Sequence, residues 1–274
     1  MKVIAETLGV ARSNLIDRVQ QRTRPRGPYR KAEDAAILRL IRAVVDERLT
    51  YGYRRVTALV NRKLRQDGKP TINAKRVLRI MQRHALTLER HTGLPSSRTH
   101  DGKIIVLTSN LRWCSDYLEL HARNGEVVRV LFVIDACDRE IIAWSSVANA
   151  GVSGEMVRDL MIAAVERRFS KTKAPHRVEW LSDNGSAYIA RPTAETAAAL
   201  GLTLLFTPVR SPESNGMSES FVNTLKRDYA RVTILPDAAT ILAKLPDWIE
   251  DYCEVHPHSG LNFRSPREFM RLSA

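Results

Sequence analysis

From residue 110 to residue 255 the hydrophobic pattern changes period in a fixed order, and that order most constrains the fold. NLRWCSDYLEL (110–120), Val127–Ile134 and Ile141–Val147 are short apolar runs with polar turns between them, which read as three consecutive antiparallel strands. Ser153–Phe169 then repeats at helical spacing, with Met156, Leu160, Met161, Ala164 and Val165 inward. Val178–Leu181 is a short buried strand, Pro192–Leu200 a helix and Thr203–Thr207 another strand. Pro212, Asn215 and Gly216 break regular structure, and from Ser218 a helix follows with Phe221, Leu225 and Tyr229 on its core stripe. A last helical pattern runs from Asp237 to Val255.

Three antiparallel strands, then helix, strand, helix, strand, helix, is the order of the ribonuclease-H-like α/β fold, a mixed five-stranded sheet flanked by helices. In that fold the first and fourth strands lie side by side and the helix after the fifth packs over their ends. Asp116 lies in the first strand, Asp183 follows the fourth, and Glu219 is on the helix, so three acids distant in sequence converge. Carboxylates this close repel one another unless a cation neutralises them. An Asp/Glu-only ligand set suits Mg²⁺ and argues against zinc, and two such ions suit attack on a phosphodiester. Lys226, two turns from Glu219 on the same helix face, is placed to grip a phosphate. An Asp at a strand end is more often a cap or hydrogen-bond acceptor than a ligand. On position alone Glu119, Asp135, Asp138 and Glu140 compete, although Asp135 and Asp138, in IDACDRE, most simply serve a turn. Trp113 reads as a core anchor, and Asn184 and Asn215 as residues that orient ligands or substrate.

The first two fifths of the chain differ in charge. Residues 1–104 hold 24 Lys and Arg against 9 Asp and Glu, while 105–274 hold 19 against 21. A one-sided basic module beside a near-neutral one suggests a polyanion-binding part. Within it, IAETLGVARSNL (4–15) has helix-turn-helix spacing, with small Ala5, Gly9 at the turn, and Val10 and Leu15 as packing points. RTRPRGPYRK (22–31) is a basic linker. Three amphipathic helices follow, Ala32–Arg48, Tyr53–Gln66 and Asn73–His84, with Asn73 as N-cap of the last. Arg54, Arg55, Lys75, Arg76 and Arg79 are the expected DNA contacts. The expected divisions are 1–28 (helix-turn-helix-like segment and linker), 29–88 (all-α DNA-binding domain), 89–108 (linker) and 109–274 (catalytic domain). No apolar run approaches the ~20 residues of a membrane span. Three widely spaced cysteines argue for reduced thiols in the cytoplasm.

WCSD (113–116), SDNGSAY (182–188), SPESNGMSESFVNTLKRDY (211–229) and HPHSGLNFRSPREF (256–269) resemble the OrfB transposases of bacterial insertion sequences, in the DDE transposase and retroviral-integrase superfamily. The resemblance extends upstream through YGYRRV (51–56) and NAKRVLRIM (73–81), and thirty-five residues separate Asp183 from Glu219, the D-D-35-E spacing of that family. It implies a catalytic triad Asp116, Asp183 and Glu219, two Mg²⁺ ions with Mn²⁺ as substitute, and strand cleavage at element ends followed by strand transfer. The implied partners are the terminal inverted repeats and target duplex, further copies of the chain in a paired-end complex, and fusion with an upstream-frame helix-turn-helix/leucine-zipper protein. The implied place is the bacterial cytoplasm, at the nucleoid. Leu181 stands where relatives often have His, and Cys253 where Asn often follows the tyrosine. His84 and His91 lack the cysteine pair of a zinc knuckle, so no structural zinc is expected, and His256 and His258 read as packing or DNA-contact residues. A DNA-binding regulator with an inert catalytic half, and a nuclease without strand transfer, are the competing readings.

Overall fold

The computed structural model describes residues 1–20, 31, 33–89, 106–207 and 216–273. They form two compact units, Met1–Arg39 and Leu40–Ala274. The expected linker 89–108 lies largely outside the described residues. In the first unit, α1 (Lys2–Thr7) and α2 (Arg12–Val19) are joined through Gly9 at φ +62°, a left-handed turn that glycine makes without a Cβ penalty. Ala5 is buried, but Val10, expected as a packing point, is 43% exposed.

Helix α3 (Asp34–Glu47) crosses from the first unit into the second. In the second, α4 (Tyr53–Gln66) buries Val56, Val60 and Leu64, and α5 (Ala74–Arg83) buries Val77, Ile80 and Met81. Asn73 caps α5 by accepting the Lys75 N–H at 2.7 Å, satisfying one of the donors a helix start leaves unpaired.

The sheet consists of β1 (Arg112–His121), β2 (Val127–Asp135), β3 (Ile141–Ala148), β4 (Val178–Ser182) and β5 (Leu202–Phe206), in the order β3-β2-β1-β4-β5. The first three strands pair antiparallel, and β1–β4 and β4–β5 pair parallel. Helices α6 (Gly154–Phe169), α7 (Ser186–Ile189) and α8 (Arg191–Leu200) cover one face, on a core that includes Trp113, Leu131, Val133, Leu160 and Trp180. Helices α9 (Gly216–Asp228) and α10 (Ala238–Glu254) cover the other, on Cys114, Leu118, Val130, Phe132 and Leu181. The alternation follows from the two-residue period of a strand: odd positions of β1 face α6 and even positions face α9.

The last helix, α11 (Pro266–Ser273), lies in a stretch read from sequence only as a motif. Its start is a capping box. Ser265 Oγ accepts the Glu268 N–H at 3.3 Å, the Glu268 carboxylate accepts the Ser265 N–H at 3.4 Å, and Pro266 occupies the first helical position.

Helix α4 and the residues before it are tied to the helices over the sheet by charged groups. Arg48 makes two bonds to the Asp251 carboxylate (2.7 and 2.6 Å), Arg55 Nη1 donates to Asp228 at 2.8 Å, and Arg62 donates to Glu268 at 2.8 Å and to the Val255 carbonyl at 3.0 Å. Tyr51 OH is 2.7 Å from His256 Nδ1. His256 and His258 are buried among Tyr51, Tyr229 and Tyr252. Burial holds the His256 imidazole well below its ordinary range and pushes His258 down to about 3, with like-charged neighbours adding to both.

Candidate active site

The parallel register of β1 and β4 places the first two carboxylates. Cys114 pairs with Leu181, and two residues further along stand Asp116, in the middle of β1, and Asp183, one residue past the end of β4, so the register brings them level with one another. Glu219 reaches them from above. Asp116 pairs across the sheet with Phe132, and Phe132 packs edge-on against Phe221 of α9, ring centroids 4.6 Å apart. Phe221 is two residues past Glu219, so the contact that seats α9 also holds its first turn near Asp116.

Local bonds fix the strand-borne acids. Asp116 Oδ1 accepts the Tyr117 N–H at 2.8 Å, and Asp183 Oδ1 accepts the Gly185 N–H at 3.1 Å. A Cβ at residue 185 would stand 3.0 Å from that Asp183 oxygen, so a side chain there would press on the carboxylate. Asn184 Nδ2 donates to the Thr207 carbonyl at 2.8 Å, tying this loop to the end of β5. Below it, Tyr188 OH lies 2.8 Å from Ser115 Oγ, which also donates to the Phe132 carbonyl at 3.0 Å.

Asp116, Asp183 and Glu219 line one open cavity of about 660 Å³ together with Tyr117, Leu118, Glu119, Val222, Asn223 and Lys226. Burial pushes the Asp116 carboxyl up to about 6, and the charges of Asp183 and Glu219 push the same way against the Tyr117 N–H. Among the described residues none of the three acids forms a salt bridge. As they stand, no group of three His, Cys, Asp or Glu side chains among the described residues is closed into a metal cage. The donors fit a hard divalent cation in kind: all are carboxylate oxygens, and their mutual repulsion is what a cation relieves.

Lys226 is in the cavity where helical spacing from Glu219 places it. Asn215 lies outside the described residues. Glu119, a competitor on position, lines the cavity but gives its carboxylate to Arg129 at 2.8 Å. Sequence reading missed Asn223 and Tyr117. Asn223 sits four residues from Glu219, a spacing that puts it on the same helix face, and Tyr117 is 42% exposed beside Asp116. On the helical region Arg54 is exposed, its Nε 3.2 Å from Tyr53 OH, and Lys75 and Arg79 are exposed on α5, with Arg76 half-buried. Arg55 differs from its expectation. Its guanidinium is turned inward onto the Asp228 carboxylate, whose side chain is 1% exposed.

Comparison with known proteins places these observations. The integrase core domain family matches residues 108–212 and, by a second model of that description, 200–266, and an HTH-like domain family matches residues 31–91. The chain is 62% identical over 194 residues to the uncharacterized protein of insertion element IS136 of Agrobacterium fabrum (strain C58), which covers 71% of this chain and all of that protein. It is 50% identical over 246 residues to transposase InsD for insertion element IS2 of Escherichia coli, covering 89% of this chain and 81% of the relative. In fold, it resembles a chain of the simian T-cell lymphotropic virus intasome solved with the PP2A regulatory subunit B56 gamma, at TM-score 0.50 and 15% identity over 76% of this chain and 69% of that one. No helix among the described residues is long and apolar enough to cross a membrane. The chain belongs to the insertion-element transposases, with an HTH-like domain ahead of a ribonuclease-H-like integrase core.

Proposed function

We propose that this transposase cuts and joins DNA at the cavity formed by Asp116, Asp183 and Glu219, and that these three carboxylates hold two Mg²⁺ ions, with Mn²⁺ able to substitute. The observation that carries the reading is the placing of three acids from three separate elements in one cavity, where among the described residues Lys226 is the one cation lining it. Hard divalent cations bound there would supply Lewis-acid polarisation of the phosphodiester and screen the charge that develops on it. The chain supplies position: Asp116 and Asp183 are fixed by the sheet and by their N–H partners, and α9 brings Glu219. Lys226 is set to contact a phosphate oxygen beside the cut, and Asn223 and Tyr117 offer a donor and a flat ring to the strand on the cavity wall.

Arg54, Lys75, Arg76 and Arg79 on the HTH-like helices are the proposed contacts to the element's terminal inverted repeats, and Asn215 joins Lys226 near the cut. Transposition brings two ends together, so at least two protomers act in the paired-end complex. Fusion to an upstream-frame helix-turn-helix/leucine-zipper protein, which the family resemblance implies, gives the form expected to pair ends efficiently. The test is cleavage of an end duplex, and transfer from a pre-cut 3′-OH end, by the wild-type chain and by Asp183→Asn. Metal-dependent cutting and joining by the wild type, lost in the variant while end binding persists, supports the reading. Full cleavage by Asp183→Asn removes it, and cutting without joining leaves a nuclease.

A further inference from the structure

Helix α9 carries Glu219 in its first turn and Asp228 at its last residue, and its two ends are held by different kinds of contact. Along its middle, Phe221 and Leu225 pack on the sheet. That packing turns the core face of the helix inward and seats its first turn, and directional charge-assisted bonds at the far end add to its axial restraint. At the far end Asp228 is almost wholly buried and receives Arg55 at 2.8 Å, both Nε and Nη2 of its neighbour Arg227, at 2.6 and 2.7 Å, and the side chain of Thr50, with Thr50 and Arg55 both lying outside α9. Arg227 belongs to α9 itself and cannot fix where the helix lies. Arg55 belongs to α4, and the next residue, Tyr229, donates its hydroxyl to Asp251, which Arg48 grips with two bonds. Charge-assisted bonds to a planar guanidinium are directional and short. A one-residue slip of a helix moves every side chain by about 1.5 Å along the axis.

We propose that Arg55, in the YGYRR segment, is a positioning residue for the active site: by holding Asp228 it sets the axial position of α9 and so the reach of Glu219 toward Asp116 and Asp183. Arg55 and Arg62 lie seven residues apart, two turns, on one side of α4, and both face inward partners, whereas Arg54 faces solvent. YGYRR is thus split between an outward cation for DNA and an inward one for the core. The inference rests on the proposed role of Glu219.

The test compares Arg55→Gln, Arg55→Lys and Arg62→Gln in the full chain, cutting an end duplex in Mg²⁺. Arg62 is a matched control, because it is similarly exposed and ion-paired but its partners are Glu268 and Val255 and not α9. Arg55→Gln is expected to lower the rate at saturating DNA by roughly ten- to a hundredfold, as a small misplacement of a reacting group does, with the dissociation constant within about twofold. Arg55→Lys recovers part of the rate, and Arg62→Gln leaves it near wild type at a comparable melting temperature. The proposal is overturned if Arg55→Gln keeps the saturated rate but binds more weakly with a salt slope lower by about one, the mark of a lost phosphate contact. It is equally overturned if Arg62→Gln slows the saturated rate as much. Should Arg55→Gln not fold, Asp228→Asn and Arg55→Lys give the same reading from either side of the pair. An active Asp183→Asn removes the active-site reading itself, whereas an inactive Asp183→Asn beside a fully active Arg55→Gln removes only this inference.

Discussion

Two groups of three acids flank the same sheet, and they are opposites. Asp135, Asp138 and Glu140 are buried, and the chain answers them. Asp135 accepts N–H bonds from Asn110, Cys137 and Asp138, Asp138 and Glu140 share Arg168, and Glu140 also takes Arg267. Asp116, Asp183 and Glu219 open onto a cavity, and among the described residues no arginine lines it. The difference teaches that acid content does not make a catalytic site. A site is where the fold leaves charge for something from outside to neutralise, and a structural cluster is where the fold neutralises it internally.

The sharpest way to break this comparison is to remove one charge from each group, an acid from the cavity and the arginine that answers the buried acids. Asp183→Asn is expected to reduce end cleavage by roughly a thousandfold or more, the scale of several kcal/mol of lost charge stabilisation, with end binding unchanged in a mobility-shift titration. Arg168→Met in the other group is expected to cost about 3–5 kcal/mol of stability, because it strands the buried Asp138 charge. Denaturant midpoints would show it, and cleavage per folded molecule would hold. If both variants lost activity and stability alike, the division between the clusters would be wrong.

A smaller effect is linked to the cation. Mg²⁺ at about a hundred times its dissociation constant should stabilise the wild type by roughly 2.7 kcal/mol by mass action. The gain should vanish in Asp116→Asn and persist in Arg168→Met, measured as melting temperature against ion concentration. Smaller still is a pH effect without metal. The folded Asp116 carboxyl titrates near 6, above its ordinary 3.8, so the native state holds that proton more tightly than the unfolded chain. That contribution is present below about 3.8 and is lost as pH rises to about 6. Asp116→Asn should therefore gain melting temperature over the wild type across that window and keep the gain above it. Equal curves at pH 4 and pH 7 would contradict the placing of Asp116. His258 supplies the opposite slope: its neutral, buried ring must charge on unfolding below its ordinary 6.5, so its contribution falls as pH drops toward about 3.

Most of the core was legible in sequence because its strands and helices have clear periods. The segments from Val127, Ile141 and Val178 and the helix over 153–169 fall where the pattern put them, within a residue or two, and Ser153 caps α6 by accepting the Met156 N–H. Four-residue α7 is too short to carry a period, and α11 was passed over although S-P-R-E is a capping signal. The carboxylates of the cavity were legible because register on neighbouring strands is fixed by burial on one face. Arg55 was not. A cation at the edge of an amphipathic helix looks the same in sequence whether its anion is a phosphate or an aspartate 173 residues away. Val10 failed for a related reason, since helix-turn-helix spacing marks where a packing residue can stand and not whether anything covers it.

The parallel β1–β4 pair also decides when in the life of a chain the cavity exists. Asp116 and Asp183 come together only once the sixty-six residues between them have been made and folded, and Glu219 is made thirty-six residues later still. Antiparallel β1–β2–β3 can close locally, but the β1–β4 contact must first overcome the entropy of that long loop. A chain emerging from the ribosome, or one trapped with its first hairpins formed, therefore has a sheet and scattered acids but not the cavity proposed to cut a strand. With the proposed site there, the topology couples the power to break DNA to completion of the fold.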